Sequence, residues 1–389
     1  MKAYHICYHT DEDGLASASV IYEYLKRVNK TDAKNVIYFF YKIDYTMDLK
    51  SVLPTRITDG DEIYFVDYSF SNMDNLKYVL ELSTHNIKVT WIDHHKTSED
   101  IIYNSKFTID AEIQLHEYEN FYYLIDTSHC GAYLAYAYAY NRLNGCYVPT
   151  HNILVPLMFD DEIPLYIKYV DSWDTWKHDM PKTTEFNIGI RTEKRTPKNA
   201  LGRMLNHNSK IINKLFSCNE EDNKIINTVM KEYIDNVIEK GEVIKAYQDI
   251  ENESLCNDYG FDFTIVDETD KSRVYKCFAL NKRGNSTMFA TKINDYDIVV
   301  PFQFNGTKYV YSLYTIKEDV SCDLLAKKLG TYDGLGGGGH AQAAGFQTYN
   351  QLIRSNYSIR ICNKLFRKDM YDICVIKSES TKNGVLKRW

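Results

Sequence analysis

Carboxylates and imidazoles recur in this chain directly after short apolar runs, and those placements are where chemistry is expected. His9-Thr-Asp11-Glu-Asp13-Gly14 follows the apolar run that begins at Tyr4. In an open parallel sheet, ligands bind beyond the carboxyl ends of the strands. If extended geometry persists through the turn, His9, Asp11 and Asp13 project to one side around a common point, a trio that attracts a divalent cation. The plainer reading is a capping run, because Asp near a helix start is favoured by free N–H groups and the dipole. Asp67 follows Ile-Tyr-Phe-Val and Asp93-His94-His95 follows Lys-Val-Thr-Trp-Ile, so both should emerge at the same edge as His9. A lone Asp after a strand is ordinarily a turn former, but the repetition argues for more. Consecutive histidines do not easily face one ion from an extended segment, so one should ligate and the other reach substrate or solvent. Asp174, between Trp173 and Thr175, is the candidate fourth carboxylate, with Asp171 the competing choice.

Mixed carboxylate and imidazole ligands without thiolate suit Mn²⁺ or Mg²⁺, with cobalt, iron or zinc as alternatives. Enough ligands exist for two ions, which at ~3.5 to 4 Å apart stabilise the attacking and leaving oxygens of a phosphoester. Downstream, Gly336-Gly-Gly-Gly-His340 leads into Ala-Gln-Ala-Ala-Gly-Phe346. Glycines let backbone N–H groups approach an anion, so a phosphate cradle is one reading and a flexible linker the bland one. The run follows a helical pattern and not a first strand, so the dinucleotide-binding reading fails on context. No Walker A sequence and no G-x-S-x-G elbow occur, which leaves NTPase and serine-hydrolase assignments without support. The tyrosines of residues 131–140 have helical spacing and read as packing.

The elements that must position these groups alternate in type. Residues 4–8, 36–41, 63–66 and 87–92 carry strand signals, and residues 15–28 and 73–82 carry helical ones. The predicted class is α/β, a mainly parallel sheet flanked by helices. Helices are also expected over 131–143 and 162–170. Residues 220–247 form an amphipathic stripe that predicts a long connecting helix. Beyond it, strand signals at 261–266, 274–280, 297–302 and 308–315 and a short helix near 322–329 predict a smaller second α/β domain. The resulting division is 1–219, 220–247, 248–350 and a tail at 351–389. Residues 353–389 hold nine Lys+Arg against three acids, which reads as a basic and partly frayed terminus.

The whole chain has 389 residues, 46 Lys+Arg against 53 Asp+Glu, a net charge of −7, and 44% hydrophobic residues. That composition predicts a folded protein of two or three domains. Its apolar runs are far shorter than the roughly 20 residues a membrane-spanning helix needs. The N-terminus has charges where an export signal would be apolar, so a cytoplasmic location is expected. Nine cysteines without a C-x-x-C pair read as buried thiols. Mild acidity argues against a long duplex-coating surface, although acids gathered at a metal site produce the same balance.

Taken together, His9-x-Asp11-x-Asp13-Gly14, Asp67, Asp93-His94-His95, Trp-Asp174-Thr-Trp and Gly-Gly-Gly-Gly-His340-Ala-Gln-Ala-Ala-Gly resemble the DHH/DHHA1 phosphoesterase family over roughly residues 1 to 346. Within it the chain looks most like the bacterial oligoribonucleases, the nano-RNases, and less like the RecJ-type exonucleases. The resemblance implies that His9, Asp11 and Asp67 hold one ion, and that Asp13, a bridging Asp67, His94 and Asp174 hold the other, Mn²⁺ by preference. Asp93 would orient the neighbouring histidine, and His95 would face the scissile phosphate. Gly337, Gly338, Gly339 and His340 would hold the nucleotide from a DHHA1 domain, with substrate in the cleft between domains. The implied activity is hydrolysis of short single-stranded RNA or DNA, or of dinucleotides, to 5′-mononucleotides, by a protein without a membrane segment that could act as a homodimer. Cyclic dinucleotide hydrolysis is the first alternative and a non-catalytic nucleotide-binding regulator the second. Relatives read Ser-Leu-Arg before the glycine run, where this chain has Ser312-Leu313-Tyr314. A phenol cannot supply the bidentate phosphate fork of Arg, so either the substrate is anchored differently or another cation, Lys282, Arg283 or Lys308, substitutes.

Overall fold

The computed structural model describes residues 1–53, 57–70, 72–103, 115, 118–145, 162–363 and 371–377. The chain divides into two compact units, Met1–Ile244 and Lys245–Trp389.

In the first unit strands and helices alternate: β1 Lys2–His9, α1 Glu12–Val28, β2 Val36–Ile43, α2 Leu49–Val52, β3 Glu62–Val66, α3 Met73–Ser83, β4 Lys88–Asp93, α4 Lys96–Tyr103, β5 Phe121–Ile125 and α5 Gly131–Leu143. Helices then follow one another: α6 Leu165–Asp174, α7 Thr183–Ile190, α8 Ala200–Met204, α9 Ser209–Ile212 and α10 Glu220–Tyr259, whose residues from Lys245 onward belong to the second unit. The sheet order is β2-β1-β3-β4-β5, and every neighbouring pair is parallel. Both faces are covered, which explains the nearly unbroken apolar runs. Tyr64 and Val66 pack with α1 and α5 on one side, while Ile63 and Phe65 pack with α3 on the other. Because the strands are parallel, their carboxyl ends lie along one edge. The chain passes from β1 to β2 on one side and then crosses back to β3 on the other, so the switch point of the sheet falls between β1 and β3, beside His9.

The second unit holds an eight-stranded mixed sheet, ordered β10-β11-β9-β8-β7-β6-β12-β13. Its strands are β6 Phe261–Asp267, β7 Arg273–Leu280, β8 Ile298–Phe304, β9 Tyr309–Tyr314, β10 Gly337–Gly339, β11 Ala343–Thr348, β12 Tyr357–Asn363 and β13 Tyr371–Lys377, with α11 Cys322–Gly330 between β9 and β10.

The α/β class with a parallel first sheet and a smaller second unit is the predicted one. Several elements differ from expectation. The helix from Glu220 continues through Gly241 to Tyr259 and stops at Gly260. The residues read as a tail include β12 and β13. Ile359 and Ile361 alternate into the core, while Arg360 pairs outward with Glu268, and the charge count had masked that period-two pattern. Residues 378–389 lie outside the described residues. Among the described residues, no helix is long and apolar enough to cross a membrane.

Candidate metal centre

β1 ends on His9, and the chain turns into α1 with Asp11 as N-cap. One Asp11 oxygen accepts the Gly14 N–H at 3.0 Å and the other lies 2.7 Å from His9 Nδ1. Capping and ligand geometry are therefore combined in one carboxylate. Asp13, in the first turn, is buried, and its two oxygens accept the N–H groups of Gly131 and Ala132 at the start of α5, each at 2.7 Å. Asp67 follows β3 with φ +52°, a left-handed conformation uncommon for a residue with a Cβ. Its N–H continues the ladder to Ile92 O at 2.9 Å. The backbone thus swings the Asp67 side chain, 1% exposed, toward the strand ends.

His94 gathers the carboxylates. Its Nε2 lies 3.2 Å from Asp67 Oδ1, 3.3 Å from Asp174 Oδ2 and 3.6 Å from Asp13 Oδ2. His9 Nδ1 lies 3.8 Å from Asp67 Oδ2. Two sets, His9/Asp11/Asp67 and Asp13/His94/Asp174, each bring donor atoms within 4.8 Å of one another, and Asp67 adjoins both. Of the competing acids on α6, Asp174 faces this cluster. Asp171 instead accepts the Cys130 N–H at 2.6 Å and pairs with Lys177 at 2.8 Å and His129 at 3.2 Å.

The Asp93 carboxylate, fully buried, binds His95 Nδ1 at 2.7 Å and also accepts from Ser98. It is therefore the second histidine, not His94, that Asp93 orients. His95 Nε2 lies 3.1 Å from the Tyr45 hydroxyl, and the Tyr45 ring stands 5.0 Å from that of His9. Sequence reasoning missed Tyr45; its only signal was its place just after β2, at the same edge. It also missed Gly131. A Cβ there would lie 2.8 Å from Asp67 Cβ and 3.1 Å from Asp13 Oδ2, so the close approach of α5 to the two acids requires glycine. The tyrosines of α5 behave as packing, with Tyr136 and Tyr138 buried.

Burial pushes the Asp67 and Asp174 carboxyls well above their usual range, and the neighbouring carboxylates Asp13 and Asp11 push the same way. Asp13 is raised by burial against the opposing pull of His94. Burial disfavours the charged form of His95, but the charge and hydrogen bond of Asp93 overcome it and bring its pKa to about 9. Asp67 Oδ2 is buried without a hydrogen-bond partner. Crowded acids with an orphaned buried oxygen, beside imidazoles and without thiolates, fit a hard or borderline divalent cation.

In the second unit, Gly337–Gly339 form β10 and pair antiparallel with β11. A Cβ on Gly337 would meet Ala326 O at 2.2 Å, so this glycine lets β10 lie against α11. The Gly339 N–H donates to Asp323 Oδ1 at 3.1 Å, and the His340 N–H to Ala343 O at 2.7 Å. Tyr314 closes β9, and Lys282 is paired with Glu251 at 3.1 Å.

Residues 4–157 match the model of the DHH family, N-terminal domain. No curated protein matches the chain significantly. Among solved structures, an uncharacterized protein from Helicobacter pylori is 16% identical with a TM-score of 0.31, covering 91% of this chain and 95% of its own. RecJ in complex with Mn²⁺ from Thermus thermophilus is 13% identical with a TM-score of 0.41 over 88% of this chain, which spans about half (49%) of that RecJ. PggH, a pGpG-specific phosphodiesterase from Vibrio cholerae, is 14% identical with a TM-score of 0.37, covering 89% of this chain and 93% of its own. Residues 4–157 therefore supply an N-terminal domain of the DHH family.

Proposed function

We propose that this protein is a divalent-metal-dependent phosphodiesterase that releases 5′-mononucleotides from short single-stranded oligonucleotides. The observation that carries the reading is the cage of Asp11, Asp13, Asp67 and Asp174 around His9 and His94, with Asp67 Oδ2 buried and unpartnered. His9, Asp11 and Asp67 would hold one ion, and Asp13, Asp67, His94 and Asp174 the other, with Mn²⁺ preferred. Two such ions, when bound, supply positive charge to the attacking and leaving oxygens of a phosphodiester. The rest falls to the chain's own groups. The α5 N–H groups fix Asp13 in place. Asp93 orients His95 and its charge favours the protonated ring, in which Nε2 can present an N–H to a phosphate oxygen. Gly337, Gly338, Gly339 and His340 are assigned to substrate, with an incoming phosphate competing against Asp323 for the Gly339 N–H.

The test is product analysis with Mn²⁺ and a labelled dinucleotide, a five-nucleotide RNA, a long single-stranded DNA and cyclic di-AMP. Mononucleotides released fastest from the two short RNAs are the expected result. Preference for the cyclic compound would reassign the protein to signal degradation, and preference for long DNA would reassign it to DNA processing. No cleavage of any would favour a binding regulator. Asp13→Ala and His94→Ala are each expected to lower turnover at least ~10³-fold, and unchanged turnover in either would refute the metal assignment.

A further inference from the structure

Three aromatic rings beside Asp174 take no part in the centre described above. Trp173 lies in the last turn of α6, and Trp176 and His178 follow in the next turn of chain. The Trp173 and Trp176 rings are stacked, with centroids 5.8 Å apart and planes 28° from parallel. His178 meets both at steep angles, its centroid 5.4 Å from each. The turn is tied down by the Trp176 N–H to Trp173 O at 3.2 Å, the His178 N–H to Ser172 O at 2.9 Å, and the Thr175 hydroxyl to Asp171 O at 2.5 Å. Trp176 and His178 both have positive φ, 57° and 49°, which bulky side chains rarely adopt.

Large aromatic rings are ordinarily hidden by folding. Trp91 follows that rule: it is fully buried, and its indole N–H is bonded to Tyr68 O at 2.8 Å. Trp176 instead remains 37% exposed and Trp173 half-buried. Between them in the chain, Asp174 turns its carboxylate toward His94 Nε2. A fixed and accessible aromatic pair therefore stands within two residues of a carboxylate of the candidate metal centre.

We propose that Trp173 and Trp176 form a stacking platform for the nucleobase adjoining the phosphodiester at the metal centre, an inference that rests on the phosphodiesterase reading above. Every nucleobase has a π face, so stacking on tryptophan is tolerant of sequence yet requires a base. The platform thus selects nucleotides over base-free phosphoesters without choosing among the bases. Trp176, the more exposed ring, makes the contact, while Trp173 and His178 hold it in position. If the rings only closed the end of α6, substrate preference would not depend on a base.

Two measurements on the full chain test this. The first is quenching of 2-aminopurine riboside monophosphate fluorescence on binding, for the wild type, Trp176→Ala and Trp176→Phe. The second is the ratio of kcat/KM for a dinucleotide to that for its abasic analogue, in the same three proteins. Quenching is expected in the wild type, lost in Trp176→Ala and largely kept in Trp176→Phe. The ratio should fall about fivefold or more in Trp176→Ala, with most of it retained in the Phe variant. A ratio that Trp176→Ala leaves unchanged, or no quenching in the wild type, overturns the platform while leaving the hydrolase intact. Quenching that depends on Trp176, in a protein that hydrolyses neither substrate, upholds the platform and removes the hydrolase reading.

Discussion

At Asp67 three local costs meet: a backbone φ of +52°, a buried carboxylate, and an oxygen without a hydrogen-bond partner. Such costs persist where the surroundings impose them and concentrate at functional sites. Burial and the charges of Asp13, Asp11 and Asp174 all favour the neutral form of this group. Asp67→Asn keeps the shape, removes one repelling charge, and suits the left-handed backbone better, since Asn visits it more readily. The variant is expected to be about 1 to 3 kcal/mol more stable than the wild type in chelator, while losing Mn²⁺-dependent hydrolysis. Denaturant unfolding in EDTA together with a hydrolysis assay checks both halves, and a destabilised or fully active variant would contradict the role given to this residue. The same scale explains Asp93. Its chemistry was legible in Asp-His-His, but which histidine it binds depends on rotamers that only packing selects.

Among the elements, α5 and α6 complete what the strand ends begin. The first N–H groups of α5 hold Asp13, and the last turn of α6 separates two acids three residues apart, Asp174 toward His94 and Asp171 toward Cys130, His129 and Lys177. β1 also carries a pH-sensitive group midway along its length. His5 is buried and stacked on Phe39, with Nδ1 3.1 Å from the Tyr41 hydroxyl and Nε2, which has no hydrogen-bond partner, 3.9 Å from an Asp61 oxygen. Burial lowers its pKa despite the opposing charge of Asp61. The unfolded chain therefore binds a proton near pH ~6.5 that the folded chain resists. The stability this contributes is complete above that pH and is lost as pH falls from it toward the lowered folded value. Urea midpoints at pH 7.5 and 5.5 should show a drop in the wild type that is smaller in His5→Phe. Equal drops in both proteins would remove His5 as the cause.

For the whole molecule, the division at residues 244 and 245 places Trp91, Trp173, Trp176 and every candidate ligand in the first unit. An ion that binds only the folded centre stabilises that unit by mass action, about 2.7 kcal/mol at a hundred times its Kd. With Trp389→Phe to silence the remaining indole, the thermal transition seen by tryptophan emission should rise with Mn²⁺ and return with EDTA. No movement with Mn²⁺ would argue against a metal centre in this unit. The α/β class and the gathering of acids and imidazoles at one sheet edge were legible in the chain, because strand runs such as Ile-Tyr-Phe-Val are apolar on both faces and polar groups directly after them must emerge at that edge. Hidden in it were β5, β10 and β11, whose short or glycine-rich segments carry little periodic signal, and β12 and β13, whose alternation was masked by the basic charge of the C-terminal segment. That Asp174 and not Asp171 joins the cluster, that Gly131 must lack a side chain, and that Tyr45 reaches His95 emerge only from the folded chain. Each of those depends on contacts between residues far apart in sequence, such as Asp13 with Gly131, and no local propensity or spacing encodes the direction in which such side chains meet.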